Sequence, residues 1–276
     1  SLALTHIKEA LRLESEFPEA LNALGNILKE QRKFDDSLNA YNRAIEINDK
    51  LAETYANRGE LYRCTGDLKK AEADCRKSIF LNPQLSVAHG NLAAVLMDNK
   101  DWVSAELSLR EAIRLTPGKH EFLVNLSETL IKLNELEEAL RVVQNAVDLC
   151  PETSHALNAL GNVYYALSDY ELAEESYQKA LRLAPDNPDV HNNLGNVWAK
   201  QNRLVDAIKS FRMGLSLVPE RPDVLANLGG VLQAQGRSDE ALEILDRALQ
   251  LNPEYADGHW NRALARLITG DLVGGF

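Results

Sequence analysis

The chain has 276 residues, of which 45% are hydrophobic, and a formal net charge of −11. No apolar run approaches the ~20 residues that a membrane-spanning helix needs, and the basic residues are outnumbered and not clustered, so the composition argues against membrane insertion and against a nucleic-acid partner. The three cysteines lack the spacing of a metal site or a disulfide framework, which fits a reducing compartment, and we expect a cytoplasmic protein.

Residues 1–17 carry the pattern of one amphipathic helix. From residue 18 onward, a unit of 34 residues repeats without insertion or deletion. Its clearest copy, residues 154–187, contains two amphipathic helical patterns joined by a short turn at residues 168–170. Pro185 ends the second pattern, because its ring cannot continue a helix. The unit is therefore predicted to be a helix–turn–helix hairpin with one apolar side.

The repeat organises the whole chain into one predicted array. A half repeat at 1–17 is followed by seven complete repeats at 18–255 and by a partial repeat at 256–276, with a turn at 270–272. Because both ends cut through a unit, the simplest interpretation is a fragment of a longer protein. The half repeats leave apolar side chains without a partner, among them Ile7, Leu11, Leu264 and Leu267. We expect these ends either to fray or to pack against another copy of the chain.

One column of the repeat contains only small residues. Its members are Gly25, Gly59, Ala93, Ser127, Gly161, Gly195, Gly229 and Ala263. Glycine inside a helix costs about 1 kcal/mol relative to alanine, so a compensating contact is expected. We predict that neighbouring helices approach closely at this column, where a side chain would keep them apart.

A seven-residue pattern relates the repeat to a known family. In the clearest copy it consists of Leu160, Gly161, Tyr164, Ala173, Tyr177, Ala180 and Pro185. This pattern resembles the tetratricopeptide repeat family, and the resemblance covers essentially the whole chain. It implies an all-α fold, an α-solenoid of antiparallel helix hairpins that form a right-handed superhelix, and a role in binding proteins or peptides. Residues 259–264 are also similar to the closing repeat of bacterial proteins in which such arrays precede a glycosyltransferase-like region.

A second column, one residue before the buried leucines of the first helices, is rich in asparagine. Its members are Asn57, Asn91, Asn125, Asn193, Asn227 and Asn261. In the family this side of the helix faces the inner, concave surface, and such a ladder resembles the repeat arm of O-GlcNAc transferases. An amide carries both a donor and an acceptor, so it can bracket a peptide group of an extended chain. The alternative is that these asparagines bond to neighbouring helices.

The densest patch of amides is predicted to be the centre of a peptide-binding site. It contains Asn158, Asn162, Tyr165, Asn193, Asn196, Lys200 and Asn227. We expect a partner segment to cross it and to be held mainly through its backbone. Asn193→Ala together with Asn227→Ala should weaken binding by roughly 5- to 150-fold. From helix propensity alone, the stability of this double variant should hold or rise slightly.

No pattern of a catalytic, cofactor or metal site is present in the sequence. We therefore predict a protein that is not an enzyme and that uses no cofactor and no metal. His89, His191 and His259 fall in a column that is otherwise apolar and are predicted to be packed core residues rather than ligands. Arg58 stands in a leucine column, and its stem is predicted to pack while its head reaches water.

The function that this sequence favours is a protein-interaction scaffold that binds an extended peptide or protein segment in the groove. The alternative is a non-catalytic recognition arm of a larger glycosyltransferase similar to bacterial O-GlcNAc transferases. A third interpretation is a self-assembling module that associates through its half-repeat ends.

Overall fold

The computed structural model describes residues 2–268, and these form sixteen helices without a strand. The first eight are α1 (Leu2–Leu13), α2 (Pro18–Glu30), α3 (Phe34–Ile47), α4 (Ala52–Cys64), α5 (Leu68–Leu81), α6 (Ser86–Asp98), α7 (Trp102–Leu115) and α8 (His120–Lys132). The others are α9 (Leu136–Leu149), α10 (Ser154–Ala166), α11 (Tyr170–Leu183), α12 (Pro188–Lys200), α13 (Leu204–Leu217), α14 (Pro222–Ala234), α15 (Ser238–Leu251) and α16 (Ala256–Ile268). The predicted α-solenoid of helix hairpins is confirmed. Within this described range, no helix combines the length and the apolar character that crossing a bilayer requires.

The starts of the helices follow from local sequence. In each repeat the even-numbered helix is the first helix of the hairpin and the odd-numbered helix is the second. Pro18, Pro188 and Pro222 lie at the start of the first helices α2, α12 and α14, where a backbone N–H would have no acceptor within the helix. An acidic residue lies in the first turn of most first helices, and there it interacts favourably with the helix dipole. Three second helices, α5, α7 and α11, are capped by an aspartate (Asp67, Asp101 and Asp169), whose side chain accepts a hydrogen bond from the backbone N–H three residues later.

The turn inside each hairpin is fixed by a left-handed residue that the sequence pattern did not reveal. Ser168 has a φ of 63°, and the N–H of Asp169 donates to the carbonyl of Tyr164 at 2.9 Å, which is the bond of a Schellman motif. The same position is left-handed in the other described hairpins, at Arg32, Gly66, Lys100, Asn134, Asn202 and Gly236. The turn lies at residues 167–169, one residue earlier than predicted, because Tyr170 already belongs to α11.

The chain divides into two compact units, one ending at Val142 and one beginning at Val143. In both units the small-residue column makes room for a side chain of the paired second helix. A methyl group placed on Gly195 would lie 2.6 Å from Cε1 of Phe211, and one placed on Gly59 would lie 2.9 Å from Sγ of Cys75. At Gly59 the predicted close approach of helices is confirmed, since the backbone carbonyl of Ala71 would lie 3.1 Å from the added methyl group. At Gly25, Gly161 and Gly195 a buried ring of the paired helix fills the space instead.

The prediction for Arg58 was wrong. Its guanidinium donates to both carboxylate oxygens of Asp74, at 2.7 and 2.9 Å, and to Oδ1 of Asn42 at 2.7 Å. Asp74 is only 7% exposed, so the head of Arg58 forms a shielded ion pair instead of reaching water. This pair links α4 to α3 and α5. Arg262 repeats half of the arrangement by donating to Asp246 at 3.1 Å.

The ends of the array remain only partly tested. In the first unit α1 packs against α2, and in the second unit α16 packs against α14 and α15. Ile7, Leu11, Leu264 and Leu267 are each half-buried. The predicted turn at 270–272 lies outside the described residues. Fraying or self-association at the ends stays a prediction, as does the single-array organisation of residues 1–276.

Candidate peptide-binding surface

The predicted asparagine column lies on the first helices, one residue before the core leucines. Each described member of the column is half-buried. They sit on α4 (Asn57), α6 (Asn91), α8 (Asn125), α12 (Asn193), α14 (Asn227) and α16 (Asn261). A half-buried amide must satisfy part of its hydrogen-bonding capacity within the protein. The direction of those bonds decides which groups are left for a partner.

The side-chain N–H groups of this column bond back to the first helix of the preceding repeat. In the first unit, Nδ2 of Asn57 donates to Oδ1 of Asn22 at 3.0 Å, and Nδ2 of Asn91 donates to the carbonyl of Ala56 at 3.0 Å. In each case the acceptor lies 35 residues earlier in the chain. The same bond recurs in the second unit from Asn193 to Asn158, from Asn227 to Asn192 and from Asn261 to the carbonyl of Ala226. The alternative in which the asparagines bond to neighbouring helices is therefore observed.

Four residues of the second unit form the most connected part of this network, which we call the amide cluster: Asn158, Asn162, Asn193 and Asn227. Nδ2 of Asn193 is shared between Oδ1 of Asn158 at 3.1 Å and Oδ1 of Asn162 at 3.0 Å. Oδ1 of Asn162 also accepts a hydrogen bond from the Tyr177 hydroxyl at 2.7 Å. Asn192 connects Asn227 to the rest, since it accepts from Asn227 at 3.1 Å and contacts Oδ1 of Asn193 at 3.4 Å.

These bonds leave a defined set of polar groups free on the amide cluster. Nδ2 of Asn158 and Nδ2 of Asn162 donate to no acceptor among the described residues, and Oδ1 of Asn227 accepts from none of them. The oxygens of Asn158 and Asn162 are held in place by Asn193, so their N–H₂ groups have a fixed direction. The cluster therefore offers oriented donors and an acceptor, which are the groups that a peptide backbone pairs with.

The first unit contains a copy of the same arrangement. The Tyr41 hydroxyl donates to Oδ1 of Asn26 at 2.6 Å, and Asn57 donates to Oδ1 of Asn22. Burial raises the pKa of Tyr41 to about 12, so its hydroxyl stays a donor at neutral pH. Burial raises the pKa of Tyr177 in the same way. In each unit, therefore, the hydroxyl of a buried tyrosine on the second helix of a hairpin holds the side-chain amide of an asparagine on the first helix.

Three of the predicted site residues are not hydrogen-bonded to the amide cluster. Tyr165 is half-buried and packs edge-on against Tyr170 at 5.7 Å between ring centroids, and burial raises its pKa. Asn196 lies at the position equivalent to Asn162, but the residue equivalent to Tyr177 is Phe211, which has no hydroxyl to donate. Lys200 is exposed at the end of α12.

Asn125 differs from the rest of its column, because its amide makes no hydrogen bond within the part of the chain that the structure describes. Its backbone carbonyl accepts from Oγ1 of Thr129 at 2.8 Å.

Sequence reasoning missed the two tyrosines and Asn192 as parts of the site. The signal was present in the repeat, since Tyr41 follows Asn26 by the same interval as Tyr177 follows Asn162. Tyr177 is part of the family pattern, and the rings of both tyrosines are buried in the core. Their hydroxyls have a second role that ring burial alone does not reveal.

The expectation for the stability of the asparagine variants has to be revised. Helix propensity alone predicted that alanine at positions 193 and 227 would be neutral or stabilising. In the structure, Asn193 makes two hydrogen bonds between helices and Asn227 makes one. Alanine removes these bonds and leaves their acceptors half-buried, which outweighs its gain of up to about 0.7 kcal/mol in helix propensity.

The prediction that three histidines are packed in the core was also wrong. Nε2 of His191 bonds to the carbonyl of Pro185 at 2.8 Å, and His89 and His259 make the same bond to Pro83 and Pro253. Since a carbonyl can only accept, each ring donates from Nε2. These side chains close the turn between consecutive repeats, and they lie at the surface or half-buried.

The described residues contain no group of three or more His, Cys, Asp or Glu side chains placed to hold a metal ion. The three cysteines are free thiols. Burial raises the pKa of Cys75 to about 12, which makes its thiol unreactive at neutral pH.

Comparison with family models places most of the chain within tetratricopeptide repeats. A model described as "TPR repeat" matches residues 25–66 and 161–202. Two models described as "Tetratricopeptide repeat" match residues 199–267 and residues 52–85 and 120–153.

Individual proteins are similar over part of the chain or in fold alone. The UDP-N-acetylglucosamine–peptide N-acetylglucosaminyltransferase of Giardia intestinalis is 36% identical over 83 residues, which are 30% of this chain and 6% of that protein. A solved structure titled "Crystal structure of APC/C hetero-tetramer Cut9-Hcn1" matches 95% of this chain and 52% of its own at a TM-score of 0.81 and 20% identity. Another, on PilF of Pseudomonas aeruginosa, matches 81% of this chain and 98% of its own at 0.63 and 21%. The repeated hairpins, the small-residue column and the family matches together show that this chain belongs to the tetratricopeptide repeat family.

Proposed function

We propose that this chain is a non-catalytic protein-interaction scaffold that binds an extended segment of a partner protein across the first helices of its repeats. The amide cluster is the centre of this site. The observation that carries the proposal is the set of free, oriented amide groups on Asn158, Asn162 and Asn227, which the internal hydrogen bonds hold in fixed directions. Tyr165, Asn196 and Lys200 extend the surface on α10 and α12.

Recognition through the backbone follows from the chemistry of these groups. The N–H₂ groups of Asn158 and Asn162 match carbonyls of an extended chain, and Oδ1 of Asn227 matches an N–H. An extended segment presents both groups along its whole length, whatever its side chains are. Each hydrogen bond contributes about 0.5–1.5 kcal/mol net, so several in a row are needed for useful affinity. Because the amides are already ordered, little side-chain entropy is lost on binding.

The experiment that tests this proposal removes a free donor without breaking the internal network. In Asn158→Asp and Asn162→Asp the acceptor oxygen that Asn193 uses is retained, and only the free N–H₂ is lost. The probe is a set of extended twelve-residue peptides selected by display on the wild-type chain, with affinity measured by calorimetry. We expect the two changes together to weaken binding by about 5- to 150-fold. Asn22→Asp with Asn26→Asp, at the equivalent positions in the first unit, adds the same two charges and serves as the matched control.

Changes in the peptide provide an independent test of backbone recognition. Methylating single backbone nitrogens should weaken binding at some positions, whereas replacing side chains by alanine should have small effects. The proposal is wrong if side-chain replacement dominates, or if Asn158→Asp and Asn162→Asp bind the peptides as the wild type does.

A second candidate function is that of the recognition arm of a larger glycosyltransferase. It is supported by the 36% identity over 83 residues to the Giardia intestinalis transferase and by the similarity of the asparagine column to the arm of O-GlcNAc transferases. In that case the segment bound here would belong to a protein substrate, and the chemistry would take place in another part of the protein. The coding sequence that follows Phe276 in the full gene decides between the two candidates. The cytoplasmic location, the lack of a nucleic-acid partner and self-association through the ends also stay predictions.

A further inference from the structure

The outer side of α13 differs from the outer sides of the second helices beside it. Val205 and Met213 are apolar yet 69% and 47% exposed, and the cation Lys209 lies between them along the helix. At the equivalent exposed positions, α11 has Glu171, Glu175 and Lys179, and α15 has Asp239, Glu243 and Arg247. The apolar residues of this stripe are not required for folding, because the neighbouring repeats fold with charged residues there. In the first unit α7 also exposes apolar residues at two of these positions, Val103 at 61% and Leu107 at 66%, but without a cation between them.

A cleft lies beside this stripe. Its volume is about 440 Å³, and it is bounded by Val205, Lys209 and Met213 of α13 and by Arg237 of the turn before α15. This volume is within the range of sites that bind small ligands or side chains. The floor includes Ile208, which is buried in the core. The cleft is thus apolar at its base and carries cations at its rim.

The charges around the cleft are not balanced internally. Arg212 and Arg237 both form ion pairs with the same carboxylate, Glu240. Two guanidinium groups that share one carboxylate retain one positive charge. Lys209 adds another, because it forms no ion pair with any described residue. The nearby Asp206 shares Arg203 with Glu174, so these three groups retain one negative charge, which offsets only part of the positive charge of Lys209 and the arginine pair. The rim therefore attracts negative charge.

We propose that this cleft docks a second partner segment, an acidic stretch of a protein in which an apolar side chain lies between carboxylates. The apolar side chain enters between Val205 and Met213, and the carboxylates face Lys209 and the arginine pair. The match rests on charge complementarity and on apolar side chains at two exposed positions, 205 and 213, where α11 and α15 carry charged residues. The site shares no residue with the amide cluster, so the two segments are bound independently.

The test uses a defined probe, a fluorescein-labelled peptide of the sequence Asp-Asp-Leu-Asp-Asp-Leu-Asp-Asp, with binding followed by fluorescence anisotropy on the whole chain. Two further peptides separate the contributions: one has lysine in place of aspartate, and the other has serine in place of leucine. We expect the acidic peptide with leucine to bind, and the other two to bind at least about tenfold more weakly. Binding should weaken as salt is raised, because exposed charges are screened.

The decisive variant transfers the outer stripe of α11 onto α13 through Val205→Glu, Lys209→Glu and Met213→Lys. Each new residue already occupies the equivalent exposed position one repeat earlier, so the fold tolerates it. We expect affinity for the probe to fall at least about tenfold. Lys179→Glu on α11 makes the net charge more negative by the same two units and should leave binding within about twofold. Asn158→Asp should also leave it unchanged, which separates this proposal from the proposed function.

Each of several results would overturn the proposal. The first is that the acidic peptide does not bind. The second is that the transferred stripe has no effect, or that Lys179→Glu weakens binding as much as the transfer does. The third is that the serine peptide binds as well as the leucine peptide, since this means that the apolar cleft is not used. If the triple variant loses its helical signal, the single variants Val205→Glu and Lys209→Glu carry the same test.

Discussion

Two consecutive repeats of the second unit have the same packing but different polar contacts. In the α10–α11 repeat, Gly161 makes room for the ring of Tyr177, and in the α12–α13 repeat, Gly195 makes room for the ring of Phe211. A methyl group on either glycine would come within 2.5 or 2.6 Å of the ring. The rings differ by one hydroxyl, which donates to Asn162 in the first repeat. The equivalent amide of the second repeat, that of Asn196, has no such donor.

The comparison shows that packing and polar binding groups are specified separately in this array. Both repeats have the glycine and the aromatic ring, so the space between the two helices of each hairpin is filled in the same way. The hydroxyl is present in only one of the two repeats. It holds the side-chain amide of Asn162, whereas the amide of Asn196 has no such donor. A scaffold built in this way can change its binding surface repeat by repeat without changing its core.

The largest effect is expected from the part that the two repeats share. Gly195→Leu forces a side chain into the space of Phe211, and we expect it to lower the free energy of unfolding by at least about 3 kcal/mol. Gly161→Leu should have an equal effect against Tyr177. Urea unfolding measures both. Hydrogen exchange should show the damage in the adjoining repeats, because stability in an array depends on nearest neighbours.

A matched control lies in α14. A methyl group on Gly230 would meet no atom closer than 3.5 Å, so Gly230→Ala should raise stability by up to about 1 kcal/mol. Gly195→Ala with Phe211→Leu should also be tolerated, since it reproduces the buried pair Ala93 and Leu109 of the first unit. If Gly195→Leu unfolds at the wild-type urea concentration, the close contact is not a determinant of stability.

The fold could be predicted from the sequence because the same residue pattern recurs in successive repeats, so an unusual residue in one repeat does not change the assignment. A single Gly161 in a helix would be uninformative, whereas a small residue at the same place in every repeat indicates a packing constraint. The helix–turn–helix hairpin and the close contact at the small-residue column both followed from this periodicity. The left-handed turn residue did not, because Ser168, Arg32 and the other residues at that position share no side-chain property.

The polar contacts could be predicted only in part. Spacing placed the asparagines on one side of the first helices, but it gave no information on which atom each amide uses. The bond from Asn193 to Asn158 depends on the distance between helices, which the sequence does not contain. The pairing of Arg58 with Asp74 was missed for the same reason. Side chains that meet through tertiary contact are visible in a sequence only when their spacing repeats, as it does for the two tyrosines.

A medium effect is expected from the amides that connect the repeats. Asn193→Ala removes two hydrogen bonds and should lower the free energy of unfolding by about 1–2 kcal/mol, after allowing for the better helix propensity of alanine. Asn227→Ala removes one bond and should have about half that effect or less. Equal stability of both variants and the wild type would mean that water replaces these bonds without loss. Asn196→Ala, which removes no described hydrogen bond, is the control and should be neutral or slightly stabilising.

The smallest effect is expected from the hydroxyl that distinguishes the two repeats. Tyr177→Phe should lower the free energy of unfolding by about 0.5 kcal/mol, because Asn162 loses one donor while the ring packing is kept. Phe211→Tyr offers Asn196 the missing donor and should make the second repeat behave like the first.

The two changes, Tyr177→Phe and Phe211→Tyr, also alter the response of stability to alkaline pH. Burial raises the pKa of Tyr177, so the unfolded chain releases this proton first, near pH 10, and stability falls as pH rises above that value. Tyr177→Phe should therefore lose less stability than the wild type between about pH 10 and 11, and Phe211→Tyr should lose more. Urea unfolding at a series of pH values measures these slopes, and identical slopes for all three proteins would show that the hydroxyl is not held in the buried hydrogen bond.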